Sequence, residues 1–130
     1  MPSPGPAETG KYPHGKTGLS RIAHTLLYSR DGFLAAFRSE AAFRQLLGLH
    51  GTLIVVACLL DVGPLARALM LAVCFISLLT ELLNSAIEAV VDRISLERHP
   101  LSKCAKDMGS AAQSVALLMV GTVWASILLG

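Results

Sequence analysis

Apolar residues along the chain are grouped into three long runs that short polar segments separate. The runs extend over residues 41–60, 62–80 and 108–130. Each reaches the roughly 20 residues that an α-helix needs to cross about 30 Å of hydrocarbon. A bilayer interior offers no partner for backbone N–H and C=O groups, so segments that span it are helical. The pattern therefore predicts three transmembrane helices, the second of which continues beyond the bilayer to about residue 97.

A shorter periodicity precedes the first run. Between residues 19 and 37, apolar residues recur at three- and four-residue steps, with most charged residues between them. This spacing predicts an amphipathic helix, broken near Asp31–Gly32. Such a helix lies in the membrane interface or packs on the helical bundle, and its composition favours the interface. Residues 1–16 are polar and rich in proline and glycine, and we expect them to form a disordered tail ahead of one membrane-integral domain, residues 17–130.

The tail contains a sequence, GKYPHGKT at residues 10–17, that fits the phosphate-binding pattern GxxxxGK[ST]. A functional P-loop follows a hydrophobic strand and opens a helix. Here the polar sequence MPSPGPAET precedes it, so we attribute the match to chance.

Composition supports the membrane assignment. Of the 130 residues, 53% are hydrophobic and 15% charged, against roughly 25% charged in an average soluble domain. A soluble protein of this size needs more polar surface than that. The formal net charge of +2 gives no indication of a nucleic-acid partner.

Basic residues orient the three predicted spans. Five precede the first span, namely Lys11, Lys16, Arg21, Arg30 and Arg38. Four lie between the second and third spans, namely Arg93, Arg98, Lys103 and Lys106. The connection at residues 61–64 has none. Because Lys- and Arg-rich loops remain in the cytoplasm, we predict a cytoplasmic N-terminus and a C-terminus on the outer side.

Polar residues form a stripe along the cytoplasmic end of the second span. At 100° per residue, Glu81, Asn84, Glu88 and Asp92 fall within a sector about 100° wide. Neighbouring carboxylates repel one another, and a charge near the end of a span carries part of the insertion cost of about 2.5–3.5 kcal/mol found at the centre. Divalent metal, metal-bound phosphate or basic side chains would offset this cost. The alternative is a solvated helix face that emerges from the membrane.

Other polar groups are expected near this stripe once the spans are aligned. Glu40 precedes the first span and Lys106 precedes the third, so both should lie close to Glu88 at the cytoplasmic interface. Two carboxylates and a lysine suit the binding of a metal–triphosphate. Glu81 lies about 10 Å deeper than Glu88 along the helix axis, where it would meet a lipid hydroxyl.

Several strings occur in order along the chain: EAAFRQ at residues 40–45, ELLNSAIEAVVDR at 81–93 and AKDMGSAA at 105–112, with TGLSRI and YS before them. Together they resemble the integral-membrane diacylglycerol kinases of Gram-negative bacteria. The resemblance covers residues 17–130. It implies ATP-dependent phosphorylation of diacylglycerol to phosphatidic acid, and an all-α homotrimer with active sites shared between subunits. It also implies an inner-membrane location with a periplasmic C-terminus.

The resemblance also implies roles for individual residues. Glu81 matches the family's general base, and Glu40 and Glu88 match the carboxylates that hold Mg²⁺. The positions that match ATP contacts are Arg21, Tyr28, Glu40, Glu88, Glu97, Arg98, His99, Lys106 and Asp107. The positions that match lipid contacts are Arg21, Glu81, Asn84 and Ser110. The chain departs from the family's pattern at Leu46 and at Pro100, where acidic residues are usual.

Two other functions stay open on the residues alone. A polyprenol kinase of the related Gram-positive branch would use similar chemistry on another lipid alcohol. A non-enzymatic oligomer would use the carboxylates to line a pathway through the membrane. The acidic residues of the second span cluster at one end rather than at mid-depth, which favours an interfacial enzyme.

Overall fold

The computed structural model describes residues 18–130, which contain four α-helices. They are α1 (Leu19–Ser39), α2 (Ala41–Leu59), α3 (Pro64–Ile94) and α4 (Pro100–Leu129). The last three are long and apolar enough to cross a membrane, which confirms the prediction of three such helices in an all-α chain. The predicted tail at residues 1–16 lies outside the described residues. Two compact units divide the chain between Gly32 and Phe33, and each is described by itself.

Helix α1 continues without interruption through Asp31 and Gly32, so the predicted break there is wrong. A single glycine inside a helix costs about 1 kcal/mol relative to alanine, which a 21-residue helix tolerates. Asp31 also lies 3.4 Å from the guanidinium of Arg30, and no residue in this part of the chain is proline. The two residues Asp31 and Gly32 therefore do not outweigh the helix-forming residues on either side of them.

The connection between α2 and α3 is fixed by one arginine. Arg67 donates from Nε to the carbonyl of Ala57 at 3.1 Å and from Nη2 to that of Leu60 at 2.9 Å. The last carbonyls of a helix have no partner within the helix, and a cation there also interacts favourably with the helix dipole. Pro64 begins α3, where the missing N–H of proline is not needed. The turn is thus closed by Arg67 from its own following helix.

The connection between α3 and α4 is shorter than the sequence suggested. Helix α3 ends at Ile94, three residues before the predicted end, and the Ser95 hydroxyl accepts a hydrogen bond from the Glu97 N–H at 3.0 Å. Helix α4 begins at Pro100 rather than at residue 108. The ring of His99 caps it by accepting from the Leu101 N–H at 3.1 Å. A side-chain cap followed by proline at the first position is a strong helix start.

Helix α3 packs against both α2 and α4 and so forms the centre of the second unit. The buried core contains Ala57, Met70, Cys74, Val120 and Trp124. The indole N–H of Trp124 donates to the Met70 carbonyl at 3.3 Å, which ties α4 to α3 at that level. Many large apolar side chains point away from this core, among them Leu59, which is 80% exposed. Such a surface requires an apolar surrounding.

Candidate functional site

The polar stripe of α3 passes from buried to exposed along the helix. Glu81 is only 4% exposed, Asn84 and Glu88 are half-buried, and Asp92 is exposed. Residues three or four apart on a helix have Cβ atoms about 5–6 Å apart, so the four side chains form a continuous row. The row joins the interior of the helical bundle to its polar end.

Glu40 reaches the same region from α2. It occupies the N-cap position of α2, but its side chain makes no capping hydrogen bond. Arg44 of α2 donates to the Phe37 carbonyl at 2.7 Å, a carbonyl in the last turn of α1. Glu40 and Glu88 both repel the charge of Glu81. The carboxylates from α2 and α3 therefore share one electrostatic environment.

The donor chemistry of these carboxylates fits Mg²⁺, which prefers oxygen ligands. Within residues 18–130, no group of three or more His, Cys, Asp or Glu side chains is close enough to hold a metal ion. Mg²⁺ usually binds through one or two carboxylates together with substrate phosphates rather than in a cage built only from protein. Glu40 and Glu88 therefore suit a metal that arrives on a nucleotide.

A groove of about 640 Å³ lies where α3 ends and α4 begins. This volume is within the range of small-molecule sites. Five of the predicted ATP contacts line it, namely Glu97, Arg98, His99, Lys106 and Asp107. Asp92 and Lys103 line it as well. The lining thus holds three basic and three acidic side chains, so an anionic ligand would need a cation of its own.

The two charged residues predicted to contact the nucleotide from α4 are both ion-paired. Lys106 Nζ lies 2.7 Å from Asp92 Oδ1 of α3, and Asp107 pairs with Lys103 one turn earlier in α4. Neither Asp92 nor Lys103 was predicted to bind nucleotide. The spacing of four residues does predict the Lys103–Asp107 pair, but the pairing between helices depends on how α3 and α4 pack.

His99 is one of the groove residues and also the N-cap of α4. Its Nδ1 accepts from a backbone N–H, so in the neutral ring the proton is assigned to Nε2. The ring thus has a fixed tautomer, with one N–H donor that the cap does not use. A residue predicted to contact ATP is held in place by the helix start itself.

Arg21 and Tyr28 belong to the first compact unit and are exposed on α1. They are seven residues apart, which places them two turns apart on the same side of the helix. Asn84 faces α4, because a Cβ on Gly109 would overlap its side-chain amide oxygen. Ser110, the residue after Gly109, is exposed. Gly109 was not predicted to matter, although a glycine inside a helix often marks a close packing contact.

Comparison with known proteins identifies the family of the chain. The family described as prokaryotic diacylglycerol kinase matches residues 27–128. A diacylglycerol kinase of Pseudomonas aeruginosa strain PAO1 is 67% identical over 116 residues, covering 89% of this chain and 94% of the relative. The diacylglycerol kinase of Escherichia coli K12 is 46% identical, covering 86% and 92%. That of Helicobacter pylori J99 is 41% identical, covering 92% and 93%. The chain therefore belongs to the prokaryotic diacylglycerol kinase family.

Proposed function

We propose that this chain transfers the γ-phosphate of ATP to the free hydroxyl of diacylglycerol, which yields ADP and phosphatidic acid. The observation that carries the proposal is the row of side chains on α3. It begins at the buried Glu81 and ends at Asp92, which pairs with Lys106 at the rim of a nucleotide-sized groove. The row offers a deep position for a lipid hydroxyl and a shallow one for a nucleotide.

The groove residues bind the nucleotide. Lys106 contacts a phosphate of the nucleotide, which replaces Asp92 as the partner of its ammonium group. Asp107 is the next residue of α4. Glu97, Arg98 and His99 close the groove from the connection. The roles of Arg21 and Tyr28 in nucleotide binding are taken from the family resemblance alone. Positioning and charge neutralisation supply most of the rate in phosphoryl transfer, because little covalent chemistry is left to the protein.

Glu81 acts as the general base. Its carboxylate takes the proton of the lipid hydroxyl while the oxygen forms a bond to the γ-phosphorus and the bond to the β-phosphate oxygen breaks. Burial of Glu81 keeps water from competing with the lipid. Asn84 and Ser110 position the lipid, and Arg21 is assigned to it from the family resemblance alone. Glu40 and Glu88 would hold Mg²⁺, and the chemistry that this ion would supply is neutralisation of charge on the phosphates.

In this proposal the protein works in the bacterial inner membrane, with its N-terminus in the cytoplasm and its C-terminus in the periplasm. The N-terminal part of α1 lies in the interface, and three chains form a homotrimer with composite sites. The large exposed apolar surface of α2–α4 supports burial in lipid and against other copies. Two inactive variants altered on opposite sides of a shared site should regain activity in mixed trimers, and no recovery would argue for self-contained sites.

The first experiment measures transfer of labelled γ-phosphate from Mg–ATP in detergent–lipid micelles, with diacylglycerol and a polyprenol offered separately. We expect label on diacylglycerol. Label on the polyprenol alone would contradict the assigned substrate but keep the site. No label on either lipid, from folded protein that binds nucleotide, would contradict the assignment of a kinase and favour a pathway lined by carboxylates.

A pair of isosteric variants tests the base. Glu81→Gln should abolish transfer while nucleotide binding persists, because only the proton acceptor is lost. Asp61→Asn is the matched control, since Asp61 is an exposed carboxylate in the connection between α2 and α3, at the other end of the helices. Near wild-type turnover by Glu81→Gln would show that another group takes the proton.

A further inference from the structure

Among residues 18–130, Gly109 of α4 is the only glycine at which an added Cβ would meet a polar side chain, that of Asn84 in α3. A Cβ built on Gly109 would overlap Asn84 Oδ1 and would lie 3.2 Å from Asn84 Cγ. Gly109 itself is buried. Adding even one methyl group at residue 109 therefore requires the Asn84 amide or the helix to move.

Asn84 is held there without a hydrogen bond to its oxygen. Asn84 Oδ1 is buried and has no partner in the described part of the chain. A buried amide oxygen without a donor is unfavourable by about 1–3 kcal/mol, so this placement is not explained by the stability of the amide itself. Gly109 leaves the room that the amide occupies, because a side chain at residue 109 would overlap Asn84 Oδ1.

The placement has a consequence for the stripe. The Oδ1 atom of Asn84 faces Gly109 of α4. The N–H groups of Nδ2 therefore remain available to a ligand or to a neighbouring carboxylate. Asn84 follows Glu81 by three residues and precedes Glu88 by four, so it lies between them on one helix face. An N–H donor at this point is next to both the deep and the shallow carboxylate.

We propose that Gly109 is a positioning residue, whose lack of a side chain lets the amide of Asn84 lie between Glu81 and Glu88. The inference rests on the proposed function, because the amide is useful there only if a phosphoryl group passes between those carboxylates. Gly109 acts through Asn84 and touches neither substrate. A displaced amide would leave the nucleotide groove intact and would slow the transfer step.

Gly109→Ala tests the proposal, and Gly121→Ala is its matched control. Both glycines lie in α4, but a Cβ on Gly121 meets no atom within 4 Å. We expect Gly109→Ala to lower kcat for diacylglycerol about 100-fold, as misplacement by about 1 Å can do. The KM for Mg–ATP should change less than about twofold, since the groove residues keep their places. Gly121→Ala should keep both parameters within about twofold of wild type.

A second measurement keeps the test decisive if Gly109→Ala folds poorly. The overlap should lower its thermal-inactivation midpoint by several degrees. Combining it with Asn84→Ala removes the amide and should return the midpoint to that of Asn84→Ala alone. A double variant that stays as unstable as Gly109→Ala would overturn the assigned contact.

The remaining outcomes separate this inference from the proposed function. A kcat of Gly109→Ala within about threefold of wild type would overturn the positioning role. A loss expressed mainly as a raised KM for Mg–ATP would also overturn it, because it would mean that α4 had moved rather than Asn84. Wild-type protein that phosphorylates no lipid would refute the proposed function, and the midpoints of the single and double variants would still decide whether Gly109 positions Asn84.

Discussion

Arg67→Met should destabilise the helical bundle without reducing the activity of the molecules that remain folded. The substitution removes the hydrogen bonds to Ala57 and Leu60. Ala57 is fully buried, and leaving its carbonyl unsatisfied costs about 1–3 kcal/mol. Loss of the cation at the end of α2 adds about 0.3–1 kcal/mol. The Leu60 carbonyl keeps the Val62 N–H at 3.0 Å, so its share is small. We expect the free energy of unfolding to fall by about 2 kcal/mol.

Activity should survive because the site is distant. Arg67 precedes Glu81 by fourteen residues, which is about 21 Å along α3. The assay is thermal inactivation in lipid-containing micelles, combined with kcat measured at low temperature. Arg93→Met is the control, since Arg93 lies in the same helix, is exposed and makes no ion pair or side-chain hydrogen bond within residues 18–130. An inactivation midpoint for Arg67→Met equal to that of Arg93→Met would refute the capping role.

Three further predictions concern the site and the core. Glu88→Gln should raise the KM for Mg–ATP about tenfold or more, since a carboxylate near a bound cation contributes over 1.4 kcal/mol; an unchanged KM would remove Glu88 from the metal site. Asp92→Asn should lower that KM about two- to threefold, because phosphate no longer competes with a carboxylate for Lys106; a raised KM would contradict this exchange. His50→Leu should change the free energy of unfolding by less than about 1 kcal/mol. The bond lost between His50 Nδ1 and the Leu46 carbonyl at 2.8 Å is offset by removal of the buried Nε2, which has no partner within residues 18–130. A loss of more than about 2 kcal/mol in chemical unfolding would contradict this balance.

Hydropathy alone predicted the three long apolar helices, because hydrocarbon imposes both their length and their backbone hydrogen bonding. It gave the start of the third apolar run at residue 108, whereas α4 begins at Pro100. Proline after a capping residue begins helices, but hydropathy does not register this signal. The His99 cap depends on the direction in which its ring turns, and periodicity does not encode that. The break predicted at Asp31–Gly32 was wrong because a single glycine costs too little to end a 21-residue helix.

The stripe on α3 was predictable because helical periodicity fixes which residues share a face. Its surroundings were not. The pairing of Lys106 with Asp92 and the contact of Gly109 with Asn84 join residues of two helices. Such contacts depend on the distance and rotation between α3 and α4, which side-chain packing sets. The motifs at residues 40–45, 81–93 and 105–112 indicate candidate site residues, but they do not indicate which partners hold those side chains.

The length of α3 has a consequence for the membrane in which the protein works. Its 31 residues extend about 46 Å, whereas hydrocarbon is about 30 Å thick. Glu81 follows Pro64 by seventeen residues, or about 26 Å. If Pro64 marks one edge of the hydrocarbon, Glu81 lies only a few ångströms inside the other. A thicker bilayer would submerge this carboxylate and a thinner one would release it into water. The acyl-chain length of the host lipid should therefore set the depth of the proposed base, Glu81, in the bilayer. We expect turnover to be highest at an intermediate bilayer thickness.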